Sequence, residues 1–259
     1  MKWNEVFCHT FKAVGQKIGL DVQMVEGYLM CKPLDPDDPR YFMDFVLPSM
    51  KMVEACRADD FDFFQPFITA GKLTEQQKRH AAKRYHLGKT KSGQPIFWMI
   101  DDMLMPLDAH IGDSWISTLL KKREPLIQYW HPTHCLFGLH LLMSDEGSLM
   151  EDVRVVCVVE SEKSAVILSE LFPESVWMAY ATTSHLTPDL FAPLEGHTVT
   201  LYPRTDPTLS NYLFFEDLAD MTRRLYNIDI TVDTTLEDYA TASQKEGCVD
   251  ILEFLIDNF

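Results

Sequence analysis

The stretch Val153-Arg154-Val155-Val156-Cys157-Val158-Val159 constrains the fold more than any other part of the chain. A nearly unbroken β-branched run marks a strand covered on both faces, and such strands belong to parallel sheets flanked by helices. The run stops at Glu160, and Ser161 is placed to N-cap a helix that continues to about Leu171. Further strands are expected over 176–180, 198–202 and 228–232. Between them lie a polar turn at Thr182-Thr183-Ser184, a short helical stretch over 186–194 and a long helix over 211–225. This alternation predicts an α/β fold: a parallel four-stranded sheet with crossover helices. Sheets of that kind take ligands beyond the carboxyl ends of their strands, which selects Glu160, residues 182–185 and residues 204–206.

The preceding residues are less regular. Val6, Phe7, Phe11, Val14 and Ile18 recur at helical spacing over 4–20. The stretch 33–39 is rich in proline and aspartate and reads as a surface connection. The aromatics of 61–67 are expected to dock a short helix. Thr74 and Gln77 stand at capping-box spacing ahead of another helix. Residues 85–101 read as strand, turn and strand around Ser92-Gly93. Three regions are therefore expected: a helical or irregular one over 1–60, an α+β one over 61–150, and the α/β domain over 151–259 with an acidic helical end.

A chain of 259 residues with 46% hydrophobic residues can bury a core without a disulfide or metal staple. No apolar run reaches the length of a membrane span and the first residues lack a secretory pattern, so a cytoplasmic protein without membrane contact is expected. The six cysteines form no CxxC pair, which agrees with reduced thiols. Cys8-His9 and Cys31 lack the paired spacing of a zinc site, and no zinc is expected. A net charge of −16 disfavours indiscriminate nucleic-acid binding and leaves only a local basic patch for it. Lys83, Arg84, Lys89 and Lys91, together with Lys121, Lys122 and Arg123, supply one. The acidic region from Glu216 onward could meet a protein partner instead.

The chemistry is expected where strands end. Glu160 and Asp206 are acids at the rim of one sheet, the usual source of Mg²⁺ ligands in phosphoryl-transfer sites. The bland alternative is two polar residues where strands leave the core. Lys163 lies in the first turn after Glu160 and could approach a phosphate there, or pair with Glu162 or Glu170. His185, in the crevice loop, could act as acid, base or phosphate donor, or simply hydrogen-bond its own loop.

The wording around these residues resembles a known family. Val158-Val159-Glu160-Ser161-Glu162-Lys163 is similar to the first Toprim motif, a strand ending in glutamate ahead of a helix. Tyr202-Pro203-Arg204-Thr205-Asp206 occupies the place of the Toprim Asp-x-Asp motif, and residues 178–187 resemble the small-residue loop of bacterial primase. Tyr85-His86-Leu87-Gly88, Ile96–Asp101 and Cys135–Leu142 resemble the primase core that precedes it. The likeness covers roughly 60–235 and is greatest to uncharacterised primase-like, Toprim-bearing bacterial proteins. It implies a Toprim-like sheet behind an α+β primase-core-like region. It also implies nucleic-acid transactions in replication or mobile elements, with Glu160 as general base or metal-associated acid, Asp206 as a Mg²⁺ ligand and Lys163 at phosphate. Arg204 departs from the pattern, because the family has an acid there and a guanidinium cannot ligate a metal; it could instead neutralise Glu160 or hold a nucleic-acid phosphate directly. Two further readings stay open: a non-catalytic Toprim binding module in which Arg204 replaces the metal function, and an acidic protein-interaction domain.

Overall fold

The computed structural model describes residues 20–25, 28–33, 45–48, 50–123, 134–143 and 155–258. The side chains of 20–25, 28–33, 45–47, 120–123 and 185 are outside that description, as is most of the expected N-terminal helix. The described residues fall into two units that interleave along the chain. One takes its share from 1–58, 86–99 and 105–134, the other from 59–85, 100–104 and 135–259. Residues 61–85, expected with the middle region, thus group with the C-terminal sheet.

The first unit is antiparallel. Strand β1 (Leu20–Val25) pairs with β2 (Tyr28–Pro33), which pairs with β3 (Phe45–Pro48). Leu20 opens a strand here instead of closing a helix. The reason is readable in the period-two alternation of Leu20, Val22 and Met24 with Asp21 and Gln23. The short helix α1 (Met50–Ala55) follows β3. In the second unit, helices α2 (Gln65–Thr69) and α3 (Glu75–Arg84) come next. α3 begins where its capping box places it: the Thr74 hydroxyl accepts from Gln77 N–H at 3.2 Å, and Thr74 N–H donates to the Gln77 side chain at 3.1 Å. A second sheet orders β4 (Gly88–Lys89), β5 (Pro95–Ile100), β6 (Pro106–Ile111) and β7 (Ser114–Trp115) side by side, with the β4–β5 and β6–β7 pairs antiparallel and α4 (Ile116–Arg123) after it.

The second unit is built around a parallel sheet of β8 (Val155–Val159), β9 (Val176–Ala179), β10 (Thr198–Leu201) and β11 (Asp229–Val232), in the spatial order β11-β10-β8-β9. All three pairings are parallel. The crossovers are α5 (Glu162–Leu171) between β8 and β9, 3₁₀ turns between β9 and β10, and α6 (Ser210–Tyr226) between β10 and β11. Short helices α7 (Thr235–Tyr239), α8 (Ala242–Glu246) and α9 (Ile251–Asn258) complete the unit. Val156 to Val159 are fully or nearly fully buried, as a β-branched run covered on both faces demands.

Residues 59–85 join this sheet through specific polar contacts. The buried Tyr85 hydroxyl donates to the Trp177 carbonyl at 2.7 Å, and Gln77 Nε2 donates to the Glu170 carbonyl at 3.2 Å. Gly138 accounts for the approach of residues 135–143. It has φ +87°, and a Cβ there would sit 3.1 Å from both the Trp177 carbonyl oxygen and the Tyr85 ring.

Candidate functional site

Sheet order locates the site. β8 is followed in sequence by β9 on one side, and β10 returns on the other side of β8, so the strand order reverses between β8 and β10. The carboxyl ends of those two strands flank a topological switch point, the place where open α/β sheets bind ligands. Glu160 leaves β8 there, and residues 202–206 leave β10 beside it, with Tyr202 N–H still donating to the Val158 carbonyl at 2.8 Å.

Arg204 and Glu160 meet across this point. Arg204 Nε lies 2.7 Å from Glu160 Oε2, with both side chains about one-third exposed. The Nε–H does not align with that oxygen, so the contact is an ion pair and not a well-directed hydrogen bond. A terminal guanidinium nitrogen of Arg204 also donates to the Cys248 carbonyl at 3.4 Å. Tyr180, the residue after β9, is buried with its hydroxyl hydrogen-bonded to Glu160. Burial first, and then the Glu160 charge, push its phenol well above the ordinary range.

Asp206 is committed elsewhere. Its Oδ1 accepts from Thr208 N–H at 2.7 Å, from the Thr208 hydroxyl at 2.5 Å, and from the N–H and hydroxyl of Ser210 at 3.2 Å. Its Oδ2 accepts from Asn211 N–H at 2.7 Å. The carboxylate therefore caps the first turn of α6, answering the orphan donors of a helix start. Burial would raise its pKa. The Thr208 hydroxyl and the N–H groups of Asn211, Thr208 and Ser210 outweigh that and hold the group far below the usual carboxylate range.

A second cluster closes the rim. Thr205 N–H donates to the Val249 carbonyl at 3.2 Å, and the Ser164 hydroxyl in the first turn of α5 donates to Asp250 Oδ2 at 2.6 Å. Asp250 and Glu253 form a reciprocal cap at the start of α9, Asp250 N–H to Glu253 at 2.9 Å and Glu253 N–H to Asp250 at 2.8 Å. Tyr180, Ser164 and Asp250 had not been singled out from the sequence. The Asp250-Ile251-Leu252-Glu253 spacing carried the signal for the last of them.

The remaining expected residues are dispersed. Lys163 is exposed in the first turn of α5. His185 ends a 3₁₀ turn at the β9 rim, with its side chain outside the described set. Lys83 and Arg84 lie at the end of α3 in the parallel-sheet unit, whereas Lys89 and Lys91 belong to the other unit, as do Lys121, Lys122 and Arg123 in α4. Cys8 and His9 lie outside the described residues, and Cys31 is described only as part of β2.

Mg²⁺ wants near-octahedral oxygen ligands at 2.0–2.1 Å. Glu160 already faces a guanidinium, and Asp206 already serves five donors. As arranged, this pair of carboxylates does not fit that ion, and both the ion pair and the helix cap would have to break to receive it. Among the described residues no group of three His, Cys, Asp or Glu gathers at metal-binding distance. No helix there is long and apolar enough to cross a membrane.

No curated protein matches the chain. A family described as "Domain of unknown function (DUF6371)" matches residues 106–205, less than half of the chain, from the start of β6 to the residue before Asp206.

Proposed function

We propose that the parallel-sheet unit is a Toprim-like, primase-related module that binds nucleic-acid phosphate at the β8–β10 rim without a divalent metal. The observation that carries this reading is the 2.7 Å pairing of Arg204 with Glu160, in the position where the Toprim pattern has an acid. The helix-capping role of Asp206 supports it, since that carboxylate has its lone pairs engaged. A guanidinium suits phosphate because its planar donors match two phosphate oxygens at once. Phosphate would replace Glu160 as the anion beside Arg204, and no metal enters the exchange.

The test is fluorescence anisotropy of labelled single-stranded DNA and RNA with the full chain, in EDTA and in Mg²⁺. Expected are equal affinities in the two buffers, a steep loss with added salt, and about a tenfold weakening in Arg204→Ala. Binding that requires Mg²⁺, or Mg²⁺-dependent cleavage or polymerisation abolished by Glu160→Gln, would overturn the reading in favour of a catalytic Toprim site.

A further inference from the structure

We propose that the outward face of α6 is a self-association surface that pairs two copies of this chain through antiparallel α6 helices. α6 turns Phe215, Leu218, Ala219 and Thr222 into its own unit. At 3.6 residues per turn, the opposite face carries Leu213, Phe214, Asp217, Met221, Arg224 and Leu225. All six are exposed, and the four apolar ones remain 45% to 65% accessible. Scattered apolar side chains on a surface are ordinary, but four large ones gathered on one helix face mark an interaction site.

The two charges within the stripe select the occupant. Asp217 sits at its middle and Arg224 near its C-terminal end. Asp220 flanks them, held by Arg223 at 2.7 Å and more loosely by Arg224 at 3.8 Å. A partner helix of one sign would meet like charge at one of the two positions. A parallel second copy would set Asp217 against Asp217 and Arg224 against Arg224. An antiparallel copy, centred between Asp220 and Met221, sets each Asp217 against the other helix's Arg224, twice by two-fold symmetry. The same register stacks Met221 on its counterpart at the axis and sets Leu225 at the level of residue 216, within one turn of Phe214 and Leu213. Covering these side chains on both copies removes about 1,000 Å² from water, the lower bound for a specific interface. The pair is therefore a transient dimer that forms with rising concentration.

Sedimentation of the full chain across the micromolar range tests this. The mass is expected to climb from 29.9 kDa towards about 60 kDa. Met221→Glu should hold it at the lower value. Asp217→Arg and Arg224→Asp should each weaken association about tenfold or more, and the double exchange should restore it. Because these positions face solvent, unchanged far-UV circular dichroism and melting will show that each variant is folded. A chain that stays monomeric at the highest concentration would overturn the proposal. So would a dimer indifferent to Met221→Glu, or a double exchange that fails to recover association.

Discussion

Asp206→Ala deletes a buried carboxylate that serves five donors at the start of α6. Losing an N-cap costs about 1 kcal/mol, and leaving further part-buried donors without an acceptor adds about 1–3 kcal/mol. The expected loss is about 3 kcal/mol, a fall in melting temperature of about 6–12 °C for a domain of this size. Scanning calorimetry in EDTA measures it directly. The charge supplies a pH signature. The folded-state pKa of Asp206 is depressed, so its stabilisation is fully present above the unfolded value of about 3.9 and is lost as pH falls through that value towards the folded one. Wild-type stability should therefore converge on that of Asp206→Asn as pH drops below about 4. A metal-ligand role predicts the reverse: little change in metal-free stability, and loss of a Mg²⁺-linked stabilisation. An Asp206→Ala protein as stable in EDTA as the wild type, or a gap to Asp206→Asn that ignores pH, would refute the capping argument.

Other perturbations have equally definite outcomes. Gly138→Ala puts a methyl group 3.1 Å from the Trp177 carbonyl oxygen and the Tyr85 ring at a φ of +87°, and should cost about 2 kcal/mol or more by urea titration. Tyr85→Phe strands the Trp177 carbonyl without its 2.7 Å donor and should cost about 1–2 kcal/mol, read by the same titration. Burial pushes the Cys157 thiol up to about 11. Iodoacetamide at pH 8 should therefore leave it unmodified in the native protein and label it once urea unfolds the sheet, as peptide mass spectrometry would show.

The parallel sheet was legible because each of its elements carries a local signature. Val155 to Val159 is continuously β-branched, Ser161 stands at an N-cap, and the α5 and α6 limits fall within a residue of those read from the chain. The capping box at Thr74 and Gln77 was legible for the same reason. What stayed hidden is set by contacts between distant residues. Nothing near Tyr85 indicates that its hydroxyl will answer a carbonyl ninety-two residues away. Placing Arg204 and Asp206 at the rim followed from strand spacing. That Arg204 could neutralise Glu160 was legible from their charges and shared rim, whereas the turning back of Asp206 to cap α6 depends on side-chain directions that a linear motif does not encode. Beyond Leu20, strand β1 carried no expectation of its own, because six alternating residues carry little weight beside a longer stretch with helical spacing.

The interleaving of the two units has a cost during synthesis. α3 leaves the ribosome long before its partners exist, for His80 meets Glu170 and Tyr85 meets Trp177 only after 90 and 92 more residues have been added. At ordinary elongation rates that is a wait of roughly 5 to 18 seconds with Ala81, Ala82 and Tyr85 uncovered. Through that interval the nascent helix is a natural client for a chaperone that shields apolar surface.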